Sequence, residues 1–173
     1  DDQLLKRQIS NSPSGVCIPG CSGAGKTSIT EEYIQNYPAV DTGEKLKREV
    51  IVVSVPASLS GGVLYKEIIE KLGGYHSKRD RIGELQRKAA MLIESCETKL
   101  VILDEAQHLA LGQTKKEIAT VADELKTLMN LGNVSIVLLG VKEVKQLLLL
   151  NDQLRRRFSE QLVLNNWSID DSN

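Results

Sequence analysis

Residues 20–27 read Gly20-Cys21-Ser22-Gly23-Ala24-Gly25-Lys26-Thr27, a complete G-x-x-x-x-G-K-[ST] phosphate loop. This motif constrains the fold because it works only between a buried strand and the start of a helix. Both flanks are present. Gly15-Val16-Cys17-Ile18-Pro19 is a short apolar run, and Lys26 to Gln35 contains neither Gly nor Pro. A glycine-rich turn that matched by chance would not bring that context with it.

Each part of the loop has a job on a nucleoside triphosphate. The glycines let the backbone curl tightly and bring its N–H groups toward phosphate oxygens. Lys26 supplies a point charge for the β- and γ-phosphates. The Thr27 hydroxyl is a hard oxygen ligand for Mg²⁺. A helix opening here also turns its positive end to the phosphates. Residues Gly20 to Thr27, with Ser28 beyond them, are therefore the expected binding site for ATP or GTP.

With 173 residues the chain can form one sizeable α/β domain but not two ordinary ones. It is read as one nucleotide-binding core over 1–173, with 1–14 as an N-terminal helical entry segment centred on Asp1 to Ser10. Apolar residues make up 41% and aromatic residues only 3%, so an aliphatic core is expected. A net charge of −1 leaves no global basic field, so any nucleic-acid contact must come from a local patch. Cys17, Cys21 and Cys96 fit neither a zinc pattern nor a disulfide framework, and a reduced, cytoplasmic setting is the simplest reading. No apolar stretch approaches a membrane span and no signal peptide is visible, so no membrane partner is expected. The sequence opens on Asp1 rather than Met, as a processed or trimmed chain would.

Downstream, residues 37–49 read as a polar connection containing Pro38 and Gly43. Val50 to Val55 is β-branched and continuous, as in a strand covered on both faces, and Pro56 ends it. Leu64 to Leu72 reads as a helix stopped by Gly73-Gly74, and Arg81 to Cys96 as another. Leu100 to Leu103 and Val134 to Leu139 read as buried strands. Between them, Ile118, Val121, Ala122, Leu125, Leu128 and Met129 recur at three- and four-residue steps, a stripe read as core packing. Helical segments cover Lys142 to Phe158, and Gln161 to Leu164 is a last short strand. Alternating strands and helices predict a mostly parallel five-stranded sheet flanked by helices.

The strand Leu100 to Leu103 runs into Asp104-Glu105. Ligands gather at the carboxyl ends of parallel strands, so both carboxylates belong beside the phosphate loop. Asp104 is the expected second ligand for Mg²⁺, directly or through water. Glu105 is the expected polariser of the water that attacks the γ-phosphate. The alternative is acidic capping of a helix N-terminus. His108 has two readings, phosphate sensing and a structural contact. Beyond Gly140, Val141 stands where a polar side chain would face the attacking water, and Lys142 and Glu143 are the nearest substitutes. Arg155, Arg156 and Arg157 point in three directions, about 100° apart. One of them can reach a neighbouring subunit's phosphate, or the run is a solvated helix end.

Taken together, these residues resemble AAA+ ATPases with an ASCE core, and more narrowly the TniB, TnsC and MuB class of transposition regulators. The resemblance runs from Gly15 to Trp167. It rests on Val52-Val53-Ser54-Val55-Pro56 followed by Leu64-Tyr65 and Leu72-Gly73, and on Leu103-Asp104-Glu105-Ala106-Gln107-His108-Leu109. It also rests on Gln153-Leu154-Arg155-Arg156-Arg157-Phe158 with Leu162-Val163-Leu164 and Trp167. A superficial likeness of Asp104 to His108 to a helicase box lacks the other helicase elements.

The resemblance implies that ATP and Mg²⁺ drive assembly into rings or helical filaments around duplex DNA. It also implies that a transposase and a target-selection protein are partners, and that hydrolysis dissolves the assembly. On that basis Lys26 and Glu105 are catalytic, Thr27 and Asp104 hold Mg²⁺, and Arg157 is the arginine supplied in trans. Members carry a C-terminal helical lid, which is expected to be absent from a core ending at Asn173. DNA contacts are expected among Lys45, Lys47, Arg48, Lys78, Arg79, Arg81, Lys115 and Lys116, spread as phosphate contacts without base readout. Two other classes stay open: a nucleotide-gated interaction module with little turnover, and a related AAA+ ATPase in secretion or signalling.

Overall fold

The computed structural model describes residues 13–57, 61–158, 160–162 and 164. The helix expected over Asp1 to Ser10, Val163 and Trp167 lie outside the described residues. The chain runs β1 (Gly15–Pro19), α1 (Lys26–Gln35), β2 (Val40–Asp41), β3 (Leu46–Lys47), β4 (Val50–Ser54), α2 (Val63–Lys71) and α3 (Ile82–Ser95). It continues through β5 (Leu100–Asp104), a 3₁₀ turn at Ala106–Leu109, α4 (Lys115–Gly132) and β6 (Ser135–Gly140). After a 3₁₀ turn at Lys142–Val144 come α5 (Lys145–Leu149), α6 (Asp152–Arg157) and β7 (Glu160–Gln161).

The expected parallel sheet is present, with five strands in the order β4-β5-β6-β1-β7. Its pairs are all parallel, for example Cys17 opposite Leu138 and Ile102 opposite Val137. Side chains alternate across a strand, so an all-apolar strand must have both faces covered. One face, with Val16, Leu100, Ile102, Val137 and Leu139, is covered by Tyr33 of α1. The other, with Cys17, Val53, Val101, Leu103, Ile136 and Leu138, packs against α2, α3, α4 and α5. The α4 stripe lies in that second core, with Ile118, Ala122, Leu125, Leu128 and Met129 buried and Val121 half-buried. Its start is fixed by a capping box: Thr114 accepts from the Glu117 N–H, and the Glu117 carboxylate accepts from the Thr114 N–H at 2.7 Å.

One local difference from the sequence reading has a plain cause. Residues 37–49 are not a featureless link. Asp41 accepts the Gly43 N–H at 2.8 Å, a side-chain turn that folds β2 back on β3 as an antiparallel pair. The β-branched run Val50 to Ser54 is covered on both faces as expected, with Ile51 and Val53 in one core and Val50 and Val52 in the other, although it stands at one end of the strand order.

The strand order sets where ligands can go. From β1 the chain jumps to the far edge at β4, returns through β5 and β6, and places β7 on the other side of β1. The connections leaving β1 and β6 diverge at the carboxyl end, the crevice where open parallel sheets take ligands.

Candidate nucleotide site

The loop after β1 sits at that crevice. The Gly20 N–H donates to the Gly140 carbonyl of the neighbouring strand at 2.9 Å. Gly23 and Gly25 hold φ of +80° and +79°. A Cβ there would meet nothing within 4 Å, so backbone conformation rather than crowding demands glycine. Gly25 is also the N-cap of α1. The helix thus opens with its free N–H groups and positive end in the loop.

Lys26 is buried, and its ammonium donates to the Gly20 and Cys21 carbonyls at 3.0 and 2.7 Å. The charge is held over the loop, where a phosphate would compete for it. The Thr27 side chain is exposed, and its hydroxyl has no hydrogen-bond partner among the described residues. Cys21, Ser22 and Ser28 are exposed and Ala24 is buried. The three cysteines are free thiols. Burial pushes the Cys17 thiol up to about 11, leaving it inert, whereas Cys21 lies open on the loop.

Asp104 ends β5, two strands from β1 in the order β5-β6-β1. At a strand spacing of about 4.8 Å this puts its backbone roughly 10 Å from the loop strand. One Asp104 oxygen accepts the Glu105 N–H at 2.8 Å. Glu105 is exposed and adopts a left-handed φ of +56°. For a residue with a Cβ that costs about 1–2 kcal/mol, a strain typical of functional turns. The turn aims the two neighbouring carboxylates differently. An exposed threonine hydroxyl and an aspartate carboxylate are hard oxygen donors, which fits Mg²⁺. Among the described residues, no group of three or more His, Cys, Asp or Glu side chains is placed to hold a metal ion. Mg²⁺ commonly keeps several waters and binds through one or two protein oxygens plus substrate phosphates, and Thr27 with Asp104 would suit such a site.

The His108 ring N–H donates to the Val55 carbonyl at 2.8 Å, tying the 3₁₀ turn to the end of β4. That contact supports the structural reading of His108. Beyond β6, Val141 is half-buried, Lys142 exposed and Glu143 half-buried. Sequence reasoning missed Gln107. It is only 5% exposed and bonds both Glu105 and Val141. A polar residue two positions after the acidic pair, inside a run from Ala106 to Ala110 that is otherwise apolar apart from His108, is the signal that could have pointed to it.

The basic residues fall into two groups. Lys45, Lys47 and Arg48 lie by the amino ends of β4 and β5, away from the loop. Lys45 pairs with Glu97, and Lys47 with Glu49 and Glu97 at 3.0 Å each. Lys45 and Lys47 hold the Glu97 carboxyl down at about 2. Arg48 donates to the Lys71 carbonyl. Lys78, Arg79 and Arg81 instead occupy the turn before α3 and are exposed. Ile82, the next residue, lies against Gly61 and Gly62, where α2 begins, at the carboxyl end of the sheet. Lys115 and Lys116 are exposed at the first turn of α4, where the helix dipole opposes cations. None of these five side chains has an ion-pair partner among the described residues.

Arg155 pairs with Asp152 at 2.9 Å, and Arg156 is exposed. Arg157 is half-buried in an open depression of about 530 Å³, shared with Asp123, Lys126, Thr127, Asn130 and Gln153. The next residue, Phe158, lies against Gly15 at the amino end of β1. Arg157 is therefore about one strand length, some 16 Å, from the loop of its own subunit.

No helix among the described residues is long and apolar enough to cross a membrane. The sequence model of the family Bacterial TniB protein matches residues 2–169. No curated protein sequence matches the chain. Among solved structures, Orc1 of Aeropyrum pernix in complex with DNA aligns with a TM-score of 0.66 and 16% identity, over 96% of this chain and 45% of that one. A Walker-type ATPase of Pyrococcus abyssi aligns with a TM-score of 0.63 and 18% identity, over 98% and 53%. Cdc6p of Pyrobaculum aerophilum gives 0.63 and 16%, over 94% and 42%. These likenesses establish the fold, that of AAA+ P-loop ATPases. The chain spans about half the length of each.

Proposed function

This chain belongs to the TniB family, and from that premise we propose that it is an ATP-dependent, DNA-binding regulator of transposition that hydrolyses ATP. One observation carries the reading. The phosphate loop and the Asp104-Glu105 pair stand at the same, carboxyl edge of the sheet, on β1 and β5 with β6 between them, and both border one crevice. In this reading residues 20–28 cradle the triphosphate. Mg²⁺, held by Thr27 and Asp104, neutralises phosphate charge when bound. Glu105 accepts the proton of the water that attacks the γ-phosphorus, as the bond to the bridging oxygen of ADP breaks. The partners are further copies of the chain in a ring or filament, duplex DNA, a transposase and a target-selection protein. The setting is cytoplasmic, with no membrane partner.

The likeness to a DNA-bound Orc1 supports the DNA component. Val141, apolar where a polar contact to the attacking water is expected, favours the second reading, a nucleotide-gated module with little turnover. ATP turnover with and without duplex DNA separates the two. Marked stimulation by DNA supports the proposal, and slow turnover unchanged by DNA supports the module.

The charge distribution sharpens the expectation for DNA. Cations already matched by carboxylates have less to gain from phosphate than free ones. Replacing Lys78, Arg79 and Arg81 with Ala should lower the slope of log affinity against log salt by up to about three. The Lys45, Lys47 and Arg48 triple replacement should leave it nearly unchanged. Fluorescence anisotropy across a salt series checks both, and the opposite ranking would move the DNA path to the other end of the sheet.

Arg157 acts in the neighbouring subunit on this reading, because its own loop is too distant. Arg157→Ala should keep ATP binding within about threefold while assembly and hydrolysis fall together, by about tenfold or more. Mixing it with Lys26→Ala protein rebuilds interfaces that join an intact loop to an intact arginine. Activity should partly return, and none in a co-assembled mixture would leave Arg157 a solvated helix end.

A further inference from the structure

Gln107 makes two bonds that no other side chain here could make together. Its Oε1 accepts the Val141 N–H at 3.2 Å, and its Nε2 donates to Glu105 Oε2 at 2.5 Å. The backbone N–H can only donate, so it fixes the amide oxygen on its own side and leaves the amino group for the carboxylate. The fit is close. A Cβ on Gly140 would stand 2.5 Å from Oε1 and 3.0 Å from the Gln107 backbone nitrogen. Glycine at the end of β6 is what lets the amide in. The result is a buried bridge from the exit of β6 to one oxygen of an otherwise exposed carboxylate.

We propose that Gln107 is a positioning residue for ATP hydrolysis: it holds Oε2 of Glu105 in register with the end of β6 and leaves Oε1 to the attacking water. This rests on the reading of Glu105 as the water-activating base. It also accounts for Val141. The link from β6 to the water runs through the backbone N–H of residue 141 and the Gln107 amide, so the side chain at 141 need not be polar. An exposed glutamate with free rotamers would spend little time in one orientation, and a hydrogen bond to the ionised form is the stronger kind. A merely structural amide would satisfy the Val141 N–H and do nothing for turnover.

The test compares steady-state hydrolysis by the full-length protein, saturated with duplex DNA, for the parent, Gln107→Met, Glu105→Gln and the double variant. Methionine keeps the length and removes both bonds. Gln107→Met should lower kcat about tenfold or more with KM for ATP nearly unchanged, and should lower the melting temperature by a few degrees because the Val141 N–H loses its acceptor. In the Glu105→Gln background it should add no further loss, since both changes act through one group. If Gln107→Met does not fold, Gln107→Glu replaces it. The carboxylate still accepts from Val141 but repels Glu105, and the same losses are expected. Turnover within twofold of the parent, or an equal loss in both backgrounds, overturns the proposal. Parent-like turnover in Glu105→Gln itself is a different failure, that of Glu105 as the base.

Discussion

Glu105→Gln should bind ATP as the parent does and hydrolyse it about a hundredfold more slowly. General-base contributions run from about 10² to 10⁴ in rate, so even the low end makes this one of the largest effects expected in the site. Glutamine keeps the size of the side chain and an oxygen to accept from Gln107, so the turn at φ +56° has no reason to change. What it loses is the ability to take a proton. Single-turnover hydrolysis on DNA, beside a binding titration, separates the two quantities. ATP-bound assemblies should persist correspondingly longer. Parent-like turnover under DNA saturation would remove Glu105 from the chemistry and leave the acidic-cap explanation of Asp104-Glu105.

The second large effect is on binding. Lys26→Ala should weaken ATP about 10- to 100-fold, as expected for loss of one charge-assisted contact of about 1.5–3 kcal/mol. ADP should lose less, because it lacks the γ-phosphate. The ammonium sits on the Gly20 and Cys21 carbonyls at 3.0 and 2.7 Å, so its removal also loosens the loop that presents the N–H groups. The sheet beneath is untouched, since Val16 and Cys17 pack through their own strand contacts. The melting temperature without nucleotide should therefore change little, while the stabilisation given by ATP should largely vanish. Equal ATP affinity by calorimetry would contradict the phosphate-loop assignment.

The sequence carried the loop, the acidic pair and the sheet because each is a local signal. Gly20 to Thr27 fixes a backbone shape, Leu100 to Asp104 joins an apolar run to a carboxylate, and the α4 stripe repeats at helical spacing. Pairing across long separations was not legible. That Lys45 and Lys47 face Glu97 depends on the β2-β3 turn and on the approach of residues about 50 positions later. In the sequence they look as free as Lys78 and Arg79. The role of Gln107 was hidden for the same reason. Its partner Val141 lies 34 residues away, and the contact exists because β6 ends in glycine. Position also gave Arg157 a meaning that the run of arginines alone could not. Only the parallel pairing of β7 with β1 puts it at the far end of the sheet from its own loop.

The account stands or falls on nucleotide-driven assembly along DNA. Negative-stain microscopy of the full-length protein with ATP and duplex DNA measures this directly, with ADP and nucleotide-free samples beside it. Rings or filaments on DNA should form with ATP, persist in Glu105→Gln, and be lost with ADP and in Arg157→Ala. Dispersed particles under every condition, or the same assemblies without ATP, would contradict it.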